Sequence, residues 1–240
     1  MNRRFWLALL ILSVAIAGLA QQNPTSLPPN YKTVLENPTF RIIRVHYGPH
    51  EKVPVHDHPD TPTVYVYLNN SSPVRIIHDE EAKPFTIVRP PTQKGAFRVS
   101  AGRRERHSIE NLGDLESNFL RVELLSARLG DKTLEWRGPA PNDLTHNLST
   151  TEFSSPRLSI VRTICVDKVQ CSIPASQSAS VVVALSSSTI TSNGKTKPLD
   201  LGAVMSLAPG QSLLVAPAGN EPAHLLQILV HAHPSAKKQL

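Results

Sequence analysis

Two histidines one residue apart, His56-Asp57-His58, and a third far along the chain in His107-Ser-Ile-Glu-Asn111 are the side chains best suited to chemistry. On a β-strand, positions i and i+2 leave from the same face, so His56 and His58 present two imidazoles side by side, and a third from a distant strand completes a donor set for a metal. Three neutral imidazoles leave the double charge of a divalent ion uncompensated and several coordination positions free. Such a centre favours anionic, bidentate ligands. Iron there would take an enolate, thiolate or catecholate together with dioxygen, whereas zinc or nickel would act as a Lewis acid on a carbonyl. Imidazole accepts most first-row ions, so the expectation is one divalent ion, with iron, zinc, nickel, manganese and copper all open.

The elements that must carry these residues are strands. Twenty-one prolines and eleven glycines punctuate short β-branched runs, and no sustained apolar period of 3.6 follows the first twenty residues, so the fold class is all-β, a sandwich or barrel. Gly48-Pro-His-Glu51 reads as a turn, after which Val53, Val55, His56 and His58 continue as an extended segment. In the following run, Val64 to Leu68, strict alternation sets Tyr65 and Tyr67 on the face of Thr63. Arg103, Arg104 and Arg106 form a basic loop ahead of His107, either a solvated turn or an anion-attracting rim. Arg106 is therefore a pocket candidate. Arg121 and Glu123 alternate with Leu120, Val122 and Leu124 and are compatible with an exposed ion pair, while His78, His146, His224, His231 and His233 read as surface groups.

The chain repeats itself. Pro38-Thr-Phe40-Arg-Ile42-Ile43-Arg44 aligns with Pro156-Arg-Leu158-Ser-Ile160-Val161-Arg162 at an offset of 118, and the run from Phe119 aligns with that from Leu225 at an offset of 106. The predicted organisation is a leader over 1–20, a first barrel over 21–128, a linker over 129–155 and a second barrel over 156–240. In the second copy the stretches aligned with the histidines, Ile173-Pro174-Ala175-Ser176 and Leu213-Leu214-Val215, hold no metal ligand. That half is expected to serve as an apolar packing module.

Gly48 ahead of His56-Asp57-His58, and Gly102 ahead of His107 with Asn111 in register, resemble the two motifs of the cupin superfamily, and the duplication resembles a bicupin. The resemblance covers residues 36 to 125 well, and 153 to 232 only through strand pattern and repeat. It implies two tandem double-stranded β-helix (jelly-roll) barrels with His56, His58 and His107 as metal ligands in the mouth of the first. Where the family places a fourth, glutamate ligand this chain has Thr63, and Asn69-Asn70 replaces a motif glycine. That ligand position makes Thr63, with Tyr65 and Tyr67 on its face, pocket candidates through the resemblance. Three-histidine iron sites exist within the superfamily, so the resemblance also implies a small-molecule reaction of dioxygenase type. The alternative is a non-catalytic binder of a sugar or organic anion with a vestigial site.

Arg3 and Arg4 before an apolar run, with small residues at Gly18 and Ala20, read as a signal peptide cleaved after Ala20. The expected location is periplasmic or extracellular, with no membrane attachment after cleavage. Loss of the two arginines takes the formal charge from +6 to +4, and aromatics are only 5% of the chain, too few for a base-stacking platform, so nucleic acid is not an expected partner. A small molecule is, and the chain is expected as a monomer or homodimer. Cys165 and Cys171 lie on two short segments read as a hairpin joined at Asp167-Lys168, and in an oxidising compartment they predict a disulfide, a zinc pair being the alternative.

Overall fold

A computed structural model describes residues 27–79, 83–130, 133–138, 145–166 and 170–232, so the expected leader, the Asp167-Lys168 turn and His233 lie outside the described residues. Those residues form nineteen β-strands and no helix. The first half contributes β1 (Tyr31–Glu36), β2 (Phe40–Tyr47), β3 (Lys52–His58), β4 (Thr63–Tyr67), β5 (Val74–His78), β6 (Phe85–Arg89), β7 (Phe97–Ser100), β8 (Glu105–Asn111), β9 (Ser117–Leu124) and β10 (Leu134–Arg137). They pair antiparallel in two facing sheets, ordered β1-β2-β9-β4-β7-β10 and β3-β8-β5-β6. The second half contributes β11 (Leu148–Ser154), β12 (Leu158–Cys165), β13 (Cys171–Ile173), β14 (Ala179–Ala184), β15 (Ser188–Ser192), β16 (Lys195–Leu199), β17 (Val204–Leu207), β18 (Leu213–Pro217) and β19 (Ala223–Val230). Its sheets run β11-β12-β19-β14-β17 and β13-β18-β15-β16.

The two strand orders superimpose strand for strand except for β10, which has no counterpart, and their irregularities match too. The β1–β2 ladder slips between Thr33 and Leu35, and the β11–β12 ladder slips between Thr151 and Phe153, the same place in the repeat. A bulge at matched positions is a backbone signature that similar apolar composition alone would not reproduce. The stretch 129–155, expected as a linker, contributes an edge strand to each barrel instead: β10 pairs with β7, and β11 with β12.

Period-two alternation divides the apolar residues among three cores. On β2, Phe40 and Ile42 point one way, and Ile43, Val45 and Tyr47 the other. The first set, with Val64, Leu120 and Val122, packs against Leu158, Ile160, Val181, Val183 and Ile228 of the second half, so the two large sheets lie back to back across one shared core. Each fully buried side chain of this size is worth about 1.5–3 kcal/mol, which makes that face the main bond between the barrels. A pair of matched arginines crosses it. Arg44 donates to the Gly202 carbonyl of the second barrel, and Arg162 donates to the Gly95 carbonyl of the first, at 2.9 Å.

The interiors of the two barrels differ. The second is filled mainly by the apolar side chains of Cys165, Ile173, Val182, Ile190, Leu213, Val215 and Leu225, with a buried Gln227–Ser180 hydrogen bond on the same face. Cys165 and Cys171 are joined by a disulfide. They are not cross-strand partners in a hairpin, as the spacing suggested: Cys165 pairs with Ala223 in the large sheet and Cys171 with Val215 in the small one, so the bond ties the two sheets together. The first barrel's interior is lined by Tyr31, Tyr47, Tyr65, Tyr67 and Phe119 and stays partly open.

Candidate metal centre

The histidines converge because the β3–β8 ladder sets His56 directly opposite His107, and His58 follows two residues on, on the same face. All three are buried, at 0%, 2% and 5% exposure for His56, His58 and His107. Their candidate ligand nitrogens lie within 4.8 Å of one another, and the ring centroids are 4.8 to 5.0 Å apart. In the second barrel Ile173 faces Leu213 in the matching ladder, which is why no such cluster forms there.

His56 Nδ1 lies 2.8 Å from the Pro54 carbonyl, which can only accept, so this nitrogen carries the proton and Nε2 carries the lone pair. The buried Nδ1 atoms of His58 and His107 have no hydrogen-bond partner. Burial holds all three imidazoles neutral. It pushes His107 down to about 3 and His58 further, with the Arg121 guanidinium and the neighbouring imidazoles adding to the shift, and it lowers His56 against the opposing pull of the Pro54 carbonyl. Neutral, clustered and incompletely hydrogen-bonded imidazoles are what a divalent ion requires, so these residues fit one.

Gly102, the motif glycine, leads the chain into β8. Its φ is +91°, and a Cβ there would lie 2.5 Å from the Thr61 carbonyl carbon, so the close approach that sets the start of β8 admits glycine alone. Asn111 at the far end donates to the carbonyls of Gly48 and Leu115, closing the turns at that end of the barrel.

A cavity of about 300 Å³ opens over the cluster, lined among others by His58 and His107, the four tyrosines, Phe119, Arg89, Arg98, Arg103 and Arg121. Tyr65 and Tyr67 line it as alternation predicts. Thr63 does not: it is buried, donates its hydroxyl to the Thr61 carbonyl and sits across the ladder from Glu123. Arg106 also lies outside the cavity. With His107 pointing inward on β8, period two turns Arg106 outward, where it pairs with Asp57 at 3.1 Å and Asp79 at 3.2 Å.

Arg121 and Glu123 are not an exposed pair but a buried one, 4% and 1% exposed, joined at 2.9 Å inside the barrel. Arg121 also donates to the Tyr65 hydroxyl at 3.0 Å. Arg98 lies over the Tyr65 ring at 3.6 Å and donates to the Tyr67 hydroxyl. His78, expected at the surface, is buried, stacked on Phe85 at 4.3 Å and edge-on to His107. His224, likewise expected outside, lies against Arg162. Sequence reasoning also missed Tyr31, whose hydroxyl reaches His56 Nε2 at 2.9 Å and the Tyr47 hydroxyl at 2.7 Å. The one signal available was that Tyr31, Tyr47, Tyr65 and Tyr67 are the only tyrosines in the chain.

These depressed imidazoles set a pH dependence. The unfolded histidine titrates near 6.5, whereas His107 and His224 are pushed down to about 3 in the folded chain, so below 6.5 the unfolded state binds the extra protons. Stability is fully present above pH 6.5 and falls as pH drops toward 3, each such histidine costing up to about 1.4 kcal/mol per pH unit. In metal-free protein the urea midpoint is expected to drop between about pH 6.5 and 5.5, above the range where ordinary carboxylates titrate. A flat midpoint there would contradict the neutral burial.

No family model matches the sequence, and no curated protein matches it either. Solved structures do match in three dimensions. AerE from Microcystis aeruginosa is 15% identical with a TM-score of 0.58, over 85% of this chain and 98% of that one. The salicylate 1,2-dioxygenase of Pseudaminobacter salicylatoxidans is 9% identical with a TM-score of 0.56, over 80% and 71% of the two chains. A cupin 2 conserved barrel domain protein from Leptotrichia buccalis is 15% identical with a TM-score of 0.52, over 84% and 88%. Likeness at such identities carries the architecture and nothing finer. The doubled barrel is nevertheless shared across 84 to 85% of the chain with two of these structures, so this protein has the bicupin fold, with its histidine triad in the first barrel.

Proposed function

We propose that this protein is an exported metalloenzyme acting on a small organic anion, with oxygen-dependent cleavage as its reaction class. The observation that carries the reading is the pairing of three buried neutral imidazoles with a cavity wall whose other charged groups are mainly arginines: Arg89, Arg98, Arg103 and Arg121 against Glu105. A carboxylate or enolate entering such a cavity meets guanidinium donors able to bind it in bidentate fashion. Arg98 is the best placed of them, held by the Tyr65 ring and the Tyr67 hydroxyl. Phe119, Ile76 and Ile87 supply apolar walls that displace water from a planar substrate.

When bound at His56, His58 and His107, a divalent ion supplies Lewis acidity and, if it is iron, a route for dioxygen chemistry. The chain's own contribution is to keep the imidazoles neutral, to fix the His56 tautomer through Pro54 and to orient the anion through Arg98 and Tyr67. The salicylate 1,2-dioxygenase, seen in one of its structures with gentisate, makes hydroxybenzoates a natural part of the substrate panel. Export is supported by the basic and apolar residues of the first twenty positions and by the Cys165–Cys171 disulfide, a bond of oxidising compartments.

The test is oxygen uptake by untagged protein loaded with ferrous iron, against hydroxybenzoates, catechols, 1,3-diketones and thiols. Turnover of an anionic member is expected, and Arg98→Gln should raise KM for it by about tenfold or more, the loss of one charge-assisted hydrogen-bond pair. The absence of a carboxylate at Thr63 favours a second reading, a non-catalytic anion binder. Saturable binding of an anion with no oxygen uptake across the panel would select that reading instead.

A further inference from the structure

We propose that Tyr31 is a fourth protein ligand of the metal centre, its phenol oxygen supplying from another strand the anionic donor that this chain lacks at Thr63. The inference rests on the reading that the triad holds an ion, and it adds a residue from β1, the outermost strand of the large sheet on that side, that no motif picks out.

Four observations converge on Tyr31. The Pro54 carbonyl fixes the proton of His56 on Nδ1, so Nε2 is the nitrogen free to bind an ion, and the group that Nε2 now meets is the Tyr31 hydroxyl, at 2.9 Å. Two neighbouring donors of an octahedral ion with bonds of about 2.1 Å stand about 2.9 Å apart, so nitrogen and phenol oxygen already have the spacing of adjacent ligands. The Tyr31 ring lies 4.8 Å from the His56 ring and 5.4 Å from the His58 ring, against both of the histidines that β3 carries. The Tyr47 hydroxyl is 2.7 Å from that of Tyr31 and can donate to it, so a second phenol stands ready to stabilise the first as an anion, much as outer groups orient and tune metal ligands elsewhere.

The second barrel offers an internal comparison. Ser149 occupies the ladder position of Tyr31, opposite Thr163 as Tyr31 is opposite Val45, and Cys165 occupies that of Tyr47. The half without the histidines lacks both phenols.

The chemistry balances simply. Coordination replaces the phenol proton by the ion, the proton passes to solvent, no electron moves, and the charge of the divalent centre falls by one. A three-histidine site would thereby regain the single anionic ligand that a glutamate would have provided.

Ferric ions bound by phenolate absorb in the visible through charge transfer, and those bound by imidazole alone do not. The protein is loaded with ferrous iron, oxidised with ferricyanide and freed of excess by gel filtration, then iron content and the visible spectrum are recorded for wild type and for Tyr31→Phe, Tyr47→Phe, Tyr65→Phe and Tyr67→Phe. Wild type is expected to show the band; Tyr31→Phe is expected to retain iron and lose the band, and the other three to keep it. Wild type that holds iron without the band, or a band that survives in Tyr31→Phe, overturns the proposal while leaving the triad intact. Wild type that holds no iron overturns the metal reading itself. Should Tyr31→Phe fail to fold, the other three variants still decide, because the chain has four tyrosines: a band kept in all three belongs to Tyr31, and one lost in any of them does not.

Discussion

His107→Ala should leave the protein folded and without metal. After reconstitution and gel filtration, wild type is expected to hold about one equivalent of divalent ion and the variant less than about a tenth, because two imidazoles on one strand cannot replace a three-sided donor set. Elemental analysis of untagged protein reads the result directly, and equal metal content in the two proteins would remove the centre from consideration. The same substitution has an instructive effect on the metal-free chain. His107 buries an Nδ1 with no hydrogen-bond partner, so its removal relieves a cost of about 1–3 kcal/mol and offsets the lost packing. Metal-free stability should therefore change little, while the stabilisation that bound metal gives wild type disappears. A residue that adds little stability to the empty protein and supplies it only with a ligand is one whose value lies in binding.

Arg162→Ala is expected to destabilise the protein by about 3–5 kcal/mol, through loss of one member of a buried ionic network. Arg162 has 0% exposure and donates to both carboxylate oxygens of Glu152 and to the carbonyls of Gly95 and Gly138, while its Nη1 lies 2.6 Å from His224. Its counterpart Arg44 makes a single cross-barrel bond to Gly202, so Arg44→Ala should cost only about 1 kcal/mol. Urea unfolding of both variants, with unchanged m-values, would measure the contrast; equal losses would mean that the network around Glu152 adds nothing to the carbonyl contact.

The asymmetry between two matched arginines shows where sequence reading works and where it stops. Arg44 and Arg162 align at once in the repeat, but their different surroundings depend on Glu152, carried in the bulge of β11 where β1 carries an exposed Val34. Alternation likewise assigned Tyr65 and Tyr67 to one face and Leu120 and Val122 to another without saying what each face meets. A site lined with arginine and tyrosine has the composition of a solvated surface. For that reason Arg121, Glu123 and His78 looked exposed, although they lie inside a barrel. The position of His107 was legible from its motif, and its inward direction should have turned the adjacent Arg106 outward; treating 103–106 as a loop concealed that, because β8 already begins at Glu105. Tyr31 was beyond reach for a different reason. Its approach to His56 depends on β1 pairing with β2, which lies on the opposite sheet from the histidines, and no local pattern encodes a contact across a barrel.

The shared core between the large sheets has a consequence for how the two halves could change over time. Two separate copies of one barrel packed through this face would be encoded by one gene, so any substitution inside would appear in both, and losing the histidines in one would lose them in the other. Joining the copies in a single chain makes their association intramolecular, at an effective concentration on the order of millimolar for a short connection, and lets the interiors vary independently while the outer face stays constrained. Ile173 and Leu213 can then join an apolar core at no cost to the chemistry next door, and the half without the histidines becomes a dedicated support for the half that has them.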